Sequence, residues 1–169
     1  MITIRPADPG DAQALVDLAS KIGGEEGSWL LTTDDSRSVA DERRYLRAVR
    51  RHPDAAVFVA EEERQVVARL SLSRDVHPAS RHVGDLGLMV AATHRRRGVG
   101  RALLEQGVAW ARSTAIQKLE LHVFPWNEPA IGLYESFGFE REGLRRRHYL
   151  RDGAPVDAIL MALWLGDPA

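Results

Sequence analysis

The sequence predicts a single α+β (mixed α/β) domain, a largely antiparallel twisted sheet of about seven strands flanked by about four helices. Three observations carry this. The 169 residues suffice for one hydrophobic core and little more. The 44% hydrophobic and 28% charged composition is that of an ordinary globular protein. Alternating apolar segments recur along the chain and several are joined by short polar turns, the pattern of antiparallel hairpins.

Ile2 to Arg5 alternates as a short strand, and Asp8 with Pro9 opens a helix running to about Lys21. Gly23 to Asp35 is irregular and polar, with Trp29-Leu30-Leu31 embedded in it. A charged helix is expected from about Val39 to Arg51, stopping near Pro53. Ala55 to Ala60 and Gln65 to Ser73 read as strands around a charged turn at Glu61–Arg64. His82 to Val90 is a further strand, where Gly84 and Gly87 suggest a bulge or a close backbone approach. From Gly100 to Ala115 a helix places Leu104, Gly107, Val108, Ala111 and Ala115 on one face. Glycine inside a helix costs about 1 kcal/mol relative to Ala, so Gly107 predicts close packing on the sheet. Lys118 to Phe124 alternates, with Leu119, Leu121 and Val123 opposite Glu120 and His122. Asn127 caps a helix with Pro129 in its first turn and Gly138 at its end. Phe139 to Leu150 and Val156 to Leu165 form a last pair of strands around Asp152-Gly153.

Composition excludes several chemistries. Lys plus Arg number 23 against 24 Asp plus Glu, which argues against a general nucleic-acid binder. The chain has no cysteine, so disulfides, thiolate metal sites and a cysteine nucleophile are ruled out. His77, His82 and His94 lack partners at metal-site spacing, and no metal is expected. No apolar run has membrane-spanning length and Met1 to Arg5 does not resemble a signal peptide, so a cytoplasmic location is expected.

The most informative stretch is Arg95-Arg96-Arg97-Gly98-Val99-Gly100-Arg101, at the junction of an apolar strand and an amphipathic helix. Glycines spaced by one residue let the backbone curl with its N–H groups inward, and the helix start adds unpaired N–H groups and a positive dipole end. This is a nest for a strongly anionic group such as a pyrophosphate. A dinucleotide fingerprint fails because Leu103 stands at the third glycine position, and Glu120, at the spacing of a ribose-binding acid, lies mid-strand. A P-loop fails because no Lys-Ser or Lys-Thr follows the glycines.

Arg95-x-x-Gly98-x-Gly100 followed by Arg101-Ala102-Leu103-Leu104 resembles the acyl-CoA-binding motif of the GNAT acetyltransferase superfamily. Asn127-x-x-Ala130-x-x-Leu133-Tyr134-x-x-x-Gly138-Phe139 resembles its second signature, in the expected order and at the expected distance. The resemblance covers His82 to Leu165. Val156 to Leu163 is similar to the last strand of bacterial members that acetylate amino acids or protein N-termini. The resemblance implies a V-shaped opening between the strand ending at Val90 and the one starting at Lys118. The pantetheine of acetyl-CoA would pair there with backbone at Leu88, Met89 and Val90 and touch Asn127. The pyrophosphate would sit on the amides of Arg95 to Arg101, Val99 included, with Arg96, Arg97 and Arg101 supporting its oxygens.

The same resemblance gives Tyr134 the role of protonating the departing CoA sulfur. Asn127, Ile131 and Tyr134 share one helix face by their spacing. For the base that frees the amine, His122 is the leading candidate because it titrates near neutrality, with Glu120 and Asp85 as further choices. Glu25, Glu26 and Trp29 fall in the segment corresponding to the acceptor-binding loop. A carboxylate there would attract a cationic amine, and Trp29 would wall the pocket. Arg145-Arg146-Arg147 offers positive charge for an anionic acceptor group, a run that is more often solvated surface. The expected activity is direct acetyl transfer from acetyl-CoA, in a ternary complex, to a small primary amine such as an amino acid. Acetylation of a protein N-terminus or ribosomal protein is the alternative, and a non-catalytic CoA-binding domain is the rival from another class. Homodimers are frequent among such relatives.

Overall fold

Residues 1–31 and 37–167 are described by a computed structural model; the end of the irregular stretch, 32–36, lies outside them. The strands are β1 (Thr3–Pro6), β2 (Ala55–Glu62), β3 (Gln65–Arg74), β4 (Val83–Val90), β5 (Lys118–Val123), β6 (Glu140–Arg151) and β7 (Ala154–Trp164). The helices are α1 (Ala12–Gly23), α2 (Val39–Arg51), α3 (Val99–Ser113) and α4 (Glu128–Phe137). One sheet holds all the strands in the order β1-β2-β3-β4-β5-β7-β6.

Local sequence accounts for most boundaries. The β2–β3 hairpin turns at Glu63 and Arg64, both left-handed (φ 49° and 65°), a turn twist that suits antiparallel strands. Asp8 and Asp11 form a reciprocal cap around a short 3-10 turn, so α1 starts at Ala12 rather than at Pro9. Ser38 accepts from the Asp41 amide to start α2, which stops at His52 before Pro53. The Asn127 side chain accepts from the Ala130 amide at 3.3 Å, and Gly138 closes α4 at φ 117°.

The sheet is covered on both faces. Leu15, Leu46 and Val49 of α1 and α2 pack on Val57 and Val59 of β2. On the other face, Leu103, Leu104 and Ala111 of α3 meet Leu70, Leu72 and Leu121. Burying each such leucine contributes roughly 1.5–3 kcal/mol. A Cβ at Gly107 would lie 2.9 Å from Leu70, so the helix does press closely on β3. Ala115 departs from the expected face: it lies beyond α3 in a left-handed turn at φ 59° and is exposed, while Leu103 takes a core position.

The two β4 glycines differ. A Cβ at Gly84 would come within 3.2 Å of the Ile116 and Leu119 side chains, so what approaches closely there is side chain, not the expected backbone. Gly87 shows neither expected feature: β3–β4 pairing runs through it without a shift, and nothing lies within 4 Å of its Cβ position. It opens on a cavity.

The opening that positions the site comes from incomplete pairing. β4 and β5 run parallel and pair only from Val83–Lys118 to Asp85–Glu120. Beyond that, β4 stays with β3 while β5 continues along β7. The strands part, and Leu88, Met89 and Val90 line the gap.

Candidate functional site

The donor half of the cleft lies between the C-terminal end of β4, the start of α3 and α4. Its cavity, about 590 Å³, is lined by Leu88, Met89, Val90, Arg95, Arg96, Gly98, Gly100, Arg101, Asn127 and Tyr134, among others. Arg96 (φ 61°) and Gly98 (φ 81°) are both left-handed, which turns the chain into a concave nest ahead of α3. The glycines do different work. Gly98 provides the left-handed turn, with open space where a Cβ would point; at Gly100 a Cβ would lie 2.8 Å from Leu133, so this glycine lets α3 approach α4. Val99 is core, 2% exposed, and offers the nest only its backbone.

The arginines divide by partner. Arg95 makes a bidentate ion pair with Glu25 at 2.7 and 2.9 Å, and its Nε donates to the Val90 carbonyl. Arg97 turns away to Glu62 at 2.9 Å and does not line the cleft. Arg101 bonds Ser136 at 3.2 Å while still lining the cleft. Arg96 has no side-chain partner among the described residues and faces the cavity. The nest, one free guanidinium and an apolar slot along β4 fit the pyrophosphate and pantetheine of acetyl-CoA.

Tyr134 stands where the donor cleft meets a second cavity of about 770 Å³, and it lines both, as do Trp29 and Asn127. It is 5% exposed, its ring lies 5.6 Å from Phe139, and its hydroxyl has no hydrogen-bond partner among the described residues. Burial pushes the phenol well above its ordinary pKa, so it stays a neutral proton donor.

The second cavity is walled by Trp29, Leu30 and Leu31 and lined by Arg69, Ser71, Gly87, His122 and Tyr149. His122 Nδ1 lies 2.7 Å from the Tyr149 hydroxyl, and its ring packs edge-on to His148 at 5.5 Å. Burial lowers its pKa, with Arg145 and His148 adding to the effect, so the imidazole is neutral over a wider pH range than usual. Asp85 and Glu120 are paired neighbours on β4 and β5 and line a smaller space of about 310 Å³ that shares His122 and Tyr149. Asp85 is solvent-accessible through that space; desolvation by the surrounding protein, then Glu120 and Asp75, push its carboxyl up to about 6. Neither acid lines the larger cavity. Arg145 lines the small space, while Arg146 and Arg147 line none of these cavities.

The acceptor-loop acids sit otherwise than expected. Glu25 is engaged by Arg95 and also accepts from Trp29 Nε1 at 3.0 Å, so it fastens the loop to the donor nest instead of facing the larger cavity. Glu26 is exposed and lines neither of the two larger cavities. Trp29 does wall the pocket, folded over Gly27, where a Cβ would fall 2.0 Å from the indole. The loop is further held by Trp126 to the Gly27 carbonyl and Arg151 to the Ser28 carbonyl. Sequence reasoning missed Tyr149, Arg69 and Ser71. The polar alternation Arg69, Ser71, Ser73 was a signal for the last two; nothing local marks Tyr149. No metal-holding group is present among the described residues, and no described helix is long and apolar enough to cross a membrane.

Comparisons with known proteins agree with this geometry. Residues 14–139 match the acetyltransferase (GNAT) family. The L-amino acid N-acetyltransferase AaaT of Escherichia coli is 36% identical over 114 residues, 65% of this chain and 68% of that one. The ribosomal protein bS18-alanine N-acetyltransferase of the same species is 40% identical over 76 residues, 45% of this chain and 51% of that one, so this match spans only about half of the relative. A GNAT superfamily phosphinothricin acetyltransferase from Sinorhizobium meliloti, solved in complex with acetyl-CoA, shares the fold at a TM-score of 0.85 and 20% identity, covering 98% of this chain and 89% of that one. The chain belongs to the GNAT acetyltransferase family and is an acetyl-CoA-dependent N-acetyltransferase.

Proposed function

We propose that the protein acetylates the primary amine of a small molecule, an amino acid or a close analogue. The observation that carries this reading is that Tyr134 and His122 line one cavity, and that this cavity also reaches the Arg69 guanidinium. Similarity to an L-amino acid N-acetyltransferase over a longer stretch than to the bS18-alanine enzyme supports the same acceptor.

Acetyl-CoA, when bound, supplies an acetyl thioester as the electrophile. The Arg95–Arg101 nest and Arg96 hold its pyrophosphate, and the backbone of Leu88 to Val90 with Asn127 aligns the pantetheine. The neutral imidazole of His122 takes a proton from the incoming ammonium, because only the free amine has the lone pair for attack. Its Nδ1 contact with Tyr149 fixes the ring. Tyr134 gives its proton to the sulfur as the C–S bond breaks, and the second proton of the attacking nitrogen, released as the amide forms, restores the phenol; its raised pKa keeps that proton in place at neutral pH. With no cysteine to carry an acyl group, transfer is direct. Asp85 and Glu120 lie in the adjoining space that His122 also lines. The reading extends to a cytoplasmic homodimer joined along edge strand β6, where Leu144 and Leu150 are 54% and 69% exposed. Sedimentation of the pure protein tests the dimer. Release of CoA thiol with a panel of amino acids, polyamines and short peptides tests the activity; saturable turnover with free amino acids supports the reading, and none with any amine contradicts it.

A further inference from the structure

We propose that Arg69 is the anchor for a carboxylate of the acceptor, holding it over Gly87 with the amine turned toward His122; this rests on the amino-acid reading above. The proposal begins with an excess of positive charge. Glu42 of α2 has a side chain only 4% exposed, and two arginines meet it: Arg69 at 2.8 Å and Arg37 at 3.2 Å. One carboxylate facing two guanidinium groups leaves a net positive charge, and all three residues line the larger cavity. Arg69 is itself fixed rather than waving. Its Nη1 donates to Glu42, its Nε donates to Ser71 Oγ at 2.8 Å, and its guanidinium lies 5.6 Å from the Tyr45 ring centre. The Nη2 group has no protein acceptor among the described residues, and no buried unsatisfied atom is found there, so it is open to the cavity. A preorganised guanidinium with a free N–H edge is a carboxylate receptor.

The rest of the floor gives the ligand its direction. Ser71 pairs with Gly87, and Arg69 with Met89, so these positions lie on one face of adjacent strands. His122 lines the same cavity from β5. Gly87 lies between these two sides, and its missing Cβ leaves room where any other residue would enter the cavity. At the β5 side the charge reverses: Asp85, Glu120 and Asp75 share the adjoining space with His122, against Arg145 and an Arg74 engaged by Asp54. A zwitterion laid across Gly87 therefore has its carboxylate drawn to β3 and its ammonium to β5, where the proton must leave. Leu30, Leu31, Leu86 and Leu88 around this axis suit an apolar side chain.

The test compares kcat/KM for the free L-amino acids and their carboxamides. The proposal expects the best free acid to exceed its amide by about tenfold or more, the usual worth of a charge-assisted pair. Arg69→Gln should bring that ratio near one while the acetyl-CoA KM moves less than about twofold, as removal of ground-state acceptor binding requires. Because Arg69→Gln leaves Glu42 short of a partner, the Glu42→Gln/Arg69→Gln double variant is run alongside and must show the same collapse. Glu42→Gln alone, which keeps Arg69, should retain or increase the preference for the acid. Retention of the acid preference in both Arg69 variants overturns the anchor and leaves the amino-acid reading standing. A wild-type preference for amides or peptide N-termini overturns both.

Discussion

The proposed donor and acceptor halves of the cleft share β4 but are assembled from very different lengths of chain. The donor half comes from one short stretch, in which Arg95, Arg96, Gly98, Gly100 and Arg101 line the cleft, with the face of α4 from Asn127 to Tyr134. Its recognition elements are largely backbone: two left-handed residues, a helix start and a gap between strands. The acceptor half draws single side chains from separate elements: Glu42 from α2, Arg69 from β3, Gly87 from β4, His122 from β5 and Tyr149 from β6. A backbone nest recognises a phosphate that every donor carries. In the proposed reading, scattered side chains hold the acceptor, and each sits on an element separate from the nest.

That division can be broken by mutation, and the largest expected effect lies where the halves meet. Tyr134→Phe should lower kcat by about 100-fold or more, the range of general-acid contributions, while acetyl-CoA affinity by calorimetry stays within about twofold. A parallel loss of affinity would make Tyr134 a packing residue. Within the donor half, Gly98→Val forces a β-branched side chain into φ +81°, at about 1–2 kcal/mol or more. It should weaken acetyl-CoA binding about tenfold and leave the acceptor KM unmoved. The arginines of the nest should separate next. Arg96→Ala should weaken acetyl-CoA about tenfold by removing a charge-assisted contact. Arg97→Ala, whose guanidinium is on Glu62, should cost about threefold or less, as exposed pairs do.

The smallest effect concerns pH and sharpens the acceptor side. Burial, with Arg145 and His148, lowers the His122 pKa, so its imidazole remains neutral below the usual histidine range. Activity requiring neutral His122 is present above that lowered pKa and is lost as pH falls through it. The acid limb of kcat/KM should therefore lie below about 6.5 and should vanish in His122→Ala. An unchanged profile removes His122 as the base.

What the sequence reveals follows the same division. The sheet, the four helices and the nest were readable because alternation, caps and the glycine pair are local signals. Gly107 announced close packing for a physical reason that the structure bears out. The pairing of Glu25 with Arg95 spans 70 residues, and no spacing rule connects a loop acid to an arginine in another motif. Tyr149 was invisible for the same reason, reaching His122 only because β6 folds back beside β7. Gly87 carries neither the bulge nor the close backbone approach its residue type suggested; the space at its Cβ position opens on the larger cavity. Long-range side-chain pairing is a product of topology, and a single sequence does not display it.

The most direct measurement is CoA thiol release with acetyl-CoA and free L-amino acids, polyamines and short peptides, run on wild-type protein and Tyr134→Phe. Saturable turnover with apolar L-amino acids, N-acetylated products by mass spectrometry, and loss of turnover in the variant with acetyl-CoA binding retained are expected. Tight acetyl-CoA binding with no turnover of any amine would contradict the proposed activity.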